Sequence, residues 1–200
     1  MKSKRIGIYA GTFDPIHAGH LAFALQAISA AELDHIYFLP ERKPRDKQGV
    51  EHFGHRVAML NRAVRPHPQF EVIELVDISL TVKRTLTELA KQFPKDQLVF
   101  LMGSDVAGHL PQWPHSDKLL RTCELVIGIR DTHELEVVQQ EIESWATKPL
   151  AATVFTSHAP EVTSSKVRDA LRTGQLTTGL LTSVAHYSNK HWLYVSVPTS

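Results

Sequence analysis

Short apolar runs alternate with helix-spaced segments along nearly the whole chain, and this alternation limits the possible folds more than any other feature. Arg5 to Tyr9, His35 to Leu39, Phe70 to Leu75, Leu98 to Met102, Glu124 to Ile129 and Ala152 to Thr156 read as strands. Helical spacing occupies about His20 to Ala31, Glu51 to Val64, Lys83 to Phe93, His133 to Trp145, Ser165 to Arg172 and Leu181 to Ser188. Leu98-Val99-Phe100-Leu101-Met102 is apolar at every position, the pattern of a parallel strand buried on both faces. Such alternation implies an α/β fold: a doubly wound parallel sheet with helices on both faces, joined by right-handed crossovers. Ligands of these sheets bind beyond the carboxyl ends of the strands, near the point where strand order reverses. The loops that fall there are Gly11 to His20, Pro40 to Lys47, Gly103 to Trp113 and, shortly after the sixth strand, Ser164 to Arg168.

Composition narrows the partners. With 200 residues, 42% of them apolar and 22% charged, the chain is expected to form one domain, 1–200, with a proper core; no repeat or linker divides it. Its 22 basic and 21 acidic residues leave a formal charge of +1, too balanced for general attraction to nucleic acid polymers. Cys123 is the single cysteine, so an internal disulfide is excluded and a reducing compartment fits. The basic start, Met1 to Arg5, precedes an apolar run too short for a signal peptide. No stretch reaches the roughly 20 apolar residues that span a membrane. The expectation is a soluble cytoplasmic protein with no membrane partner; its oligomeric state stays open.

The chemistry is concentrated in Gly11-Thr12-Phe13-Asp14-Pro15-Ile16-His17-Ala18-Gly19-His20. A glycine turn here leads from a strand into a helix, whose first N–H groups and partial positive charge suit a phosphate. His17 and His20, three apart, project from one face and can reach the same phosphate. Gly11 lets backbone approach the ligand, Asp14-Pro15 stiffens the turn, and Gly19 leaves room at the helix start. The competing readings are a plain turn with incidental histidines, or a zinc pair; no third and fourth ligand stands at convincing spacing. No Gly-x-x-x-x-Gly-Lys-Ser/Thr loop or Gly-x-Gly-x-x-Gly fingerprint is present. A second cluster, Thr163-Ser164-Ser165-Lys166-Val167-Arg168, opens another helix. Ser164 there reads either as a helix cap or as a phosphate contact, and Arg168 offers a permanently charged fork. The remaining histidines, among them His52 and His55, read as surface or capping groups.

The first cluster resembles the signature of the nucleotidylyltransferase superfamily, whose hallmark is His/Thr-x-Gly-His, and the second resembles its Ser-Ser/Thr-x-Ile/Val-Arg motif. Between them the chain looks like bacterial nicotinate-mononucleotide adenylyltransferase almost from end to end. Phe38-Leu39-Pro40 with Pro44 and Lys47 resembles that family's loop ending in Pro-Pro-His-Lys. His55 to Leu60 resembles its second-helix motif, and Met102-Gly103-Ser104-Asp105 with Leu110 and Trp113 its Gly-Ala-Asp … Leu … Trp segment. Leu193-Tyr194 resembles its close.

The resemblance implies a Rossmann-like α/β fold and adenylyl transfer, with a substrate phosphate attacking the α-phosphate of ATP in line and releasing pyrophosphate. His17, His20 and Arg168 are then the catalytic candidates. Gly11, Thr12, Phe13, Gly19, Gly103, Asp105, Ser164 and Ser165 would hold ATP, and Lys47, Thr81 and Trp113 the acceptor. Trp113 would stack on a pyridine ring and Asp105 touch the ribose. Mg²⁺ would ride on the phosphates with mostly water ligands, without a protein metal site. The leading acceptor is nicotinate mononucleotide, the step being one of NAD synthesis. One departure bears on it. The family's Ser-Tyr-Thr-x-Asp-Thr-Leu is here Leu80-Thr81-Val82-Lys83-Arg84-Thr85-Leu86, and Arg45-Asp46 stand where Pro-His is common before Lys47. Nicotinamide mononucleotide, phosphopantetheine or a non-pyridine phosphomonoester therefore remain alternative acceptors. A silent nucleotide-binding sensor is the alternative outside enzymes.

Overall fold

The computed structural model describes residues 3–44, 47–76, 80–158, 162–175 and 177–195. In chain order they form β1 (Arg5–Gly11), α1 (Ala18–Ala31), β2 (His35–Pro40), α2 (Phe53–Val64), β3 (Phe70–Val72), α3 (Val82–Gln92) and β4 (Gln97–Gly103). There follow α4 (Ser104–Ala107), a 3₁₀ turn (Leu110–Gln112), α5 (Ser116–Thr122), β5 (Glu124–Ile129), α6 (Glu134–Ser144), β6 (Ala152–Thr156), α7 (Ser164–Thr173) and α8 (Thr182–Lys190). The strands make one parallel sheet in the order β3-β2-β1-β4-β5-β6, as the alternation implies.

Side chains leave each strand on alternate faces, so a strand buried on both sides feeds two cores. Along β4, Val99 and Leu101 join α1, α2 and α8 through Ala24, Ala27, Leu60 and Val184. Leu98, Phe100 and Met102 point the other way, toward Leu86 and Leu89 of α3, Leu119 and Leu120 of α5, and Val138 of α6. This explains why Leu98 to Met102 lacks a polar position. Gly7 of β1 marks a close approach between β1 and β2, since a Cβ there would lie 2.8 Å from Ile36 Cγ1.

Two local differences from the sequence expectation have physical causes. β3 stops at Val72 rather than Leu75. Its partner among the described residues, β2, ends at Pro40, which has no N–H to extend the ladder. Ile73 and Leu75 are nevertheless buried. The second difference lies after β4: Gly103 to Trp113, expected as a loop, carries α4 and the 3₁₀ turn, and α5 follows in a stretch assigned no element from sequence. None is long enough to display a helical period in sequence.

Because β1 and β4 are neighbours and chain order reverses between them, the crevice opens at their carboxyl ends. Gly11 to His20 lies on one side of it and Gly103 to Asp105 on the other.

Candidate active site

The turn after β1 is shaped by its first residues. A Cβ on Gly11 would stand 3.0 Å from the Phe13 ring, so only glycine lets that ring fold back under the strand end. Phe13 has a left-handed backbone (φ 48°), an uncommon conformation for a side-chain-bearing residue. Its burial, edge-on to Tyr9 at 5.5 Å and to His20 at 5.2 Å, holds it there. The chain then enters α1 two residues earlier than its apolar pattern suggests, with His17 as the extended N-cap.

The two histidines meet. Their rings lie 3.7 Å apart between centroids at an angle of 31°, and the His17 backbone N–H donates to His20 Nδ1 at 3.2 Å. That bond occupies the Nδ1 lone pair, so the neutral His20 ring carries its proton on Nε2. His17 Nδ1 is buried without a hydrogen-bond partner among the described residues. Burial pushes His17 down to about 4. His20 falls well below the usual imidazole value through burial first, then the positive potential of His17 and Lys47. Both rings are therefore neutral at neutral pH, and each can donate a hydrogen bond to an anion. Gly19 is needed by the protein itself: a Cβ there would sit 3.0 Å from His17 Nδ1 and 3.1 Å from Val162.

The second cluster closes on the same turn from α7. Thr163, rather than Ser164, is the cap, its hydroxyl accepting the Lys166 N–H at 3.2 Å. Ser164 Oγ instead donates to the Pro15 carbonyl at 3.1 Å. Arg168 donates to the Asp14 carbonyl at 2.7 Å and to Ser165 Oγ at 3.1 Å. Lys47 donates to Thr12 Oγ1 at 3.0 Å. A hollow of about 170 Å³, lined by Thr12, Asp14, Lys47, Ser164 and Arg168, adjoins the main cleft. Lys47, read from sequence as an acceptor contact, thus keeps company with the phosphate candidates; Arg45 and Asp46 lie outside the described residues.

The main cleft encloses about 2150 Å³ and is lined by every site residue expected from sequence. Gly103 and Asp105 form its floor at the end of β4. A Cβ on Gly103 would lie 2.6 Å from Asp105 Oδ1, so glycine makes room for that carboxylate. Tyr9 stands beside it, its hydroxyl pushed up by burial and then by Asp105. Thr81, the N-cap of α3, and Trp113, 40% exposed after the 3₁₀ turn, form an outer wall together with Lys83 and Arg84.

Three supporting residues make contacts that the sequence did not assign, Asp14 having been read only as stiffening the turn. Asp14, buried, accepts from the Tyr194 hydroxyl at 2.7 Å and from the Glu51 N–H at 3.3 Å. Arg56, 1% exposed, donates to the carbonyls of Glu51, Thr12, Glu41 and Arg42. On a helix an arginine reads as a solvated charge, and backbone carbonyls leave no trace in a sequence pattern. Of the other histidines, His52 does cap α2, but His55 Nδ1 lies 3.0 Å from the Tyr187 hydroxyl, a paired and partly buried group.

Residues 8–170 match the model of the cytidylyltransferase-like family, an interval that contains every site residue expected from sequence. The chain belongs to that family. Nicotinate-nucleotide adenylyltransferase of Bacillus subtilis (strain 168) is 40% identical over 134 residues, 64% of this chain and 69% of that protein. A Solibacter usitatus protein named "Probable nicotinate-nucleotide adenylyltransferase" is 32% identical over 200 residues, 95% of this chain and 99% of its own. Within the cytidylyltransferase-like family, the chain is thus a nucleotidyltransferase of the nicotinate-nucleotide adenylyltransferase group. The fold agrees. Plasmodium falciparum nicotinic acid mononucleotide adenylyltransferase complexed with NaAD superposes with a TM-score of 0.74 at 19% identity, covering 96% of this chain and 97% of the other.

Among the described residues no group of three or more His, Cys, Asp or Glu side chains could hold a metal ion. No helix of the described residues is long and apolar enough to cross a membrane.

Proposed function

We propose that the chain transfers the adenylyl group of MgATP to nicotinate mononucleotide. An oxygen of the acceptor phosphate forms a bond to the α-phosphorus of ATP. The bond from that phosphorus to the bridging oxygen of the β-phosphate breaks, and pyrophosphate leaves with the electron pair. The observation that carries the reading is the convergence of the stacked His17–His20 pair, Lys47 and Arg168 around the Thr12 turn, a polyphosphate seat at the start of two helices. The names of the relatives support nicotinate mononucleotide as the acceptor.

The residues divide the work by their chemistry. His20 Nε2–H and His17 donate to the α-phosphate as charge builds there, while Arg168 and Lys47 offset the charge of the leaving pyrophosphate. Ser164 and Ser165 assist at the start of α7. Gly11, Thr12, Phe13 and Gly19 shape the turn that receives the triphosphate, and Gly103 and Asp105 hold the nucleoside. No nucleophilic side chain is needed, because the acceptor phosphate is itself the nucleophile and is held in line with the bond that breaks. Mg²⁺ arrives with the phosphates as part of the substrate. Thr81 and Trp113 face the acceptor, with Trp113 stacking on the pyridine ring. The lone buried Cys123 and the absence of an apolar run long enough for a membrane support a cytoplasmic reaction.

Pyrophosphate release from MgATP tests the reading, with nicotinate mononucleotide, nicotinamide mononucleotide, phosphopantetheine and no acceptor run in parallel. Turnover is expected with nicotinate mononucleotide. Release only with another acceptor would keep the transfer chemistry and overturn this substrate, assigning the changed Thr81 to Arg84 wall to that acceptor.

A further inference from the structure

Tyr194 is separated from the turn by nearly the full length of the chain, yet its hydroxyl reaches Asp14, which lines the phosphate seat. We propose that Tyr194 is a positioning residue for adenylyl transfer: by holding Asp14, it keeps the Arg168 guanidinium turned toward the triphosphate. The inference rests on the triphosphate seat proposed above and is independent of which acceptor is used.

Asp14 is the anomaly that motivates it. Its carboxylate lines a hollow otherwise furnished with hydroxyls, Lys47 and Arg168, where a phosphate would be repelled by it. The side chain is only 4% exposed, so its oxygens depend on protein donors. Oδ1 accepts the Tyr194 hydroxyl at 2.7 Å and the Glu51 N–H at 3.3 Å. Oδ2 lies 3.7 Å from Arg168 Nη1, beyond hydrogen-bond length, while the same nitrogen donates at 2.7 Å to the Asp14 carbonyl. Arg168 is thus held by the backbone and only loosely attracted by the carboxylate. Without the tyrosine hydroxyl, the strongest available donor to Asp14 is the guanidinium itself. A closed, two-pronged Asp14–Arg168 pair is the favoured geometry between such groups, and it would draw Arg168 away from the ligand.

The tail is built to deliver this hydroxyl. Ser188, fully buried on α8, accepts the Leu193 N–H through its carbonyl at 3.0 Å and donates its own hydroxyl to the Leu193 carbonyl at 3.2 Å. Leu193 is buried in the core, and Tyr194 takes a left-handed backbone (φ 61°) as its ring turns back to Asp14. Burial, then the adjacent Asp14, pushes the tyrosine hydroxyl up, so it remains a donor at any working pH.

The test is a double-mutant cycle read by calorimetric binding of MgATP, and separately of inorganic pyrophosphate, without acceptor. Tyr194→Phe is expected to weaken both ligands about tenfold (about 1.4 kcal/mol) in the natural background and to cause no further loss in Arg168→Ala. Unchanged affinity, or the same loss in both backgrounds, would overturn the proposal. Ser188→Ala loosens the turn while leaving the hydroxyl in place and is expected to weaken MgATP about threefold, an order of magnitude typical of one lost neutral hydrogen bond. Natural affinity in that variant would refute the part assigned to the tail. Failure of the natural protein to bind MgATP would overturn the phosphate seat together with this inference. Binding without turnover on nicotinate mononucleotide would overturn the acceptor alone.

Discussion

Arg56→Ala is expected to be the most damaging single substitution outside the sheet, although Arg56 touches no cleft surface. Its guanidinium is 1% exposed and donates to four carbonyls: Glu51 at 2.9 Å, Thr12 at 2.5 Å, Glu41 at 2.7 Å and Arg42 at 3.1 Å. These lie on three separate segments, the turn after β1, the exit of β2 and the entry to α2, so one side chain ties the rim of the site together. Each buried carbonyl left unsatisfied costs roughly 1–3 kcal/mol, but water admitted to the vacated space would recover part of that. A net loss of about 4 kcal/mol is expected, a large part of the roughly 5–15 kcal/mol that a domain possesses. The melting temperature should fall by about 8–16 °C at this chain length. Arg56→Lys keeps the charge but loses the planar fork, and about half of that loss is expected. Urea unfolding and calorimetry measure both. A drop below about 1 kcal/mol for Arg56→Ala would refute the reasoning, because it would mean that the four carbonyls find other donors without cost.

His17 and His20 also carry a stability signature. Both are depressed in the folded chain, so the unfolded chain binds more protons in acid and stability is lost as pH falls from 6.5 through about 4. His17 alone accounts for a loss on the order of 2 kcal/mol between about pH 7 and about pH 5; urea unfolding at the two values should show it, and a flat profile would refute the burial argument. For His20→Ala, kcat is expected to fall about a hundredfold or more, with MgATP affinity changed far less; equal losses in both would point to ground-state binding instead. Trp113→Ala should raise KM for the acceptor about three- to tenfold and leave KM for MgATP within about twofold; the reverse split in steady-state kinetics would move Trp113 to the nucleotide side. Gly128→Ala places a Cβ 2.3 Å from the Phe23 ring, which is itself packed between Tyr9 and Phe155. Overpacking of about 1–3 kcal/mol is expected in urea unfolding, and an unchanged midpoint would show that the ring moves freely.

The sequence showed what repeats and what is local. β5 and β6 are bounded in the structure as they are read in the chain, and β5 ends where its buried run ends. The cleft residues were legible for a related reason. Gly11, His17, His20 and Arg168 are residue types whose special properties, a missing Cβ, an adjustable ring and a fixed charge, have few other uses beside a helix start. Asp14, Arg56 and Tyr194 were not legible in that way. Each acts through a contact closed by the tertiary fold, and the partners of Arg56 are carbonyls that any residue would provide. Lys47 shows the intermediate case: the loop was visible, but the approach of Lys47 to Thr12 was not.

The electrostatic arrangement also has a direction that favours transfer over mere retention of nucleotide. Arg168 keeps its charge at every stage, whereas His17 and His20 are neutral until an anion reaches them. A site made only of fixed cations would hold ATP and pyrophosphate tightly from the start and gain little as the reaction proceeds. Neutral imidazoles in a desolvated turn behave differently. Their hydrogen bonds strengthen as negative charge accumulates on the α-phosphate oxygens, when burial no longer opposes their polarisation or protonation. Under the proposed reaction, the low proton affinity of the empty site is therefore part of how the turn discriminates between bound substrate and the state in which one P–O bond is partly made and the other partly broken.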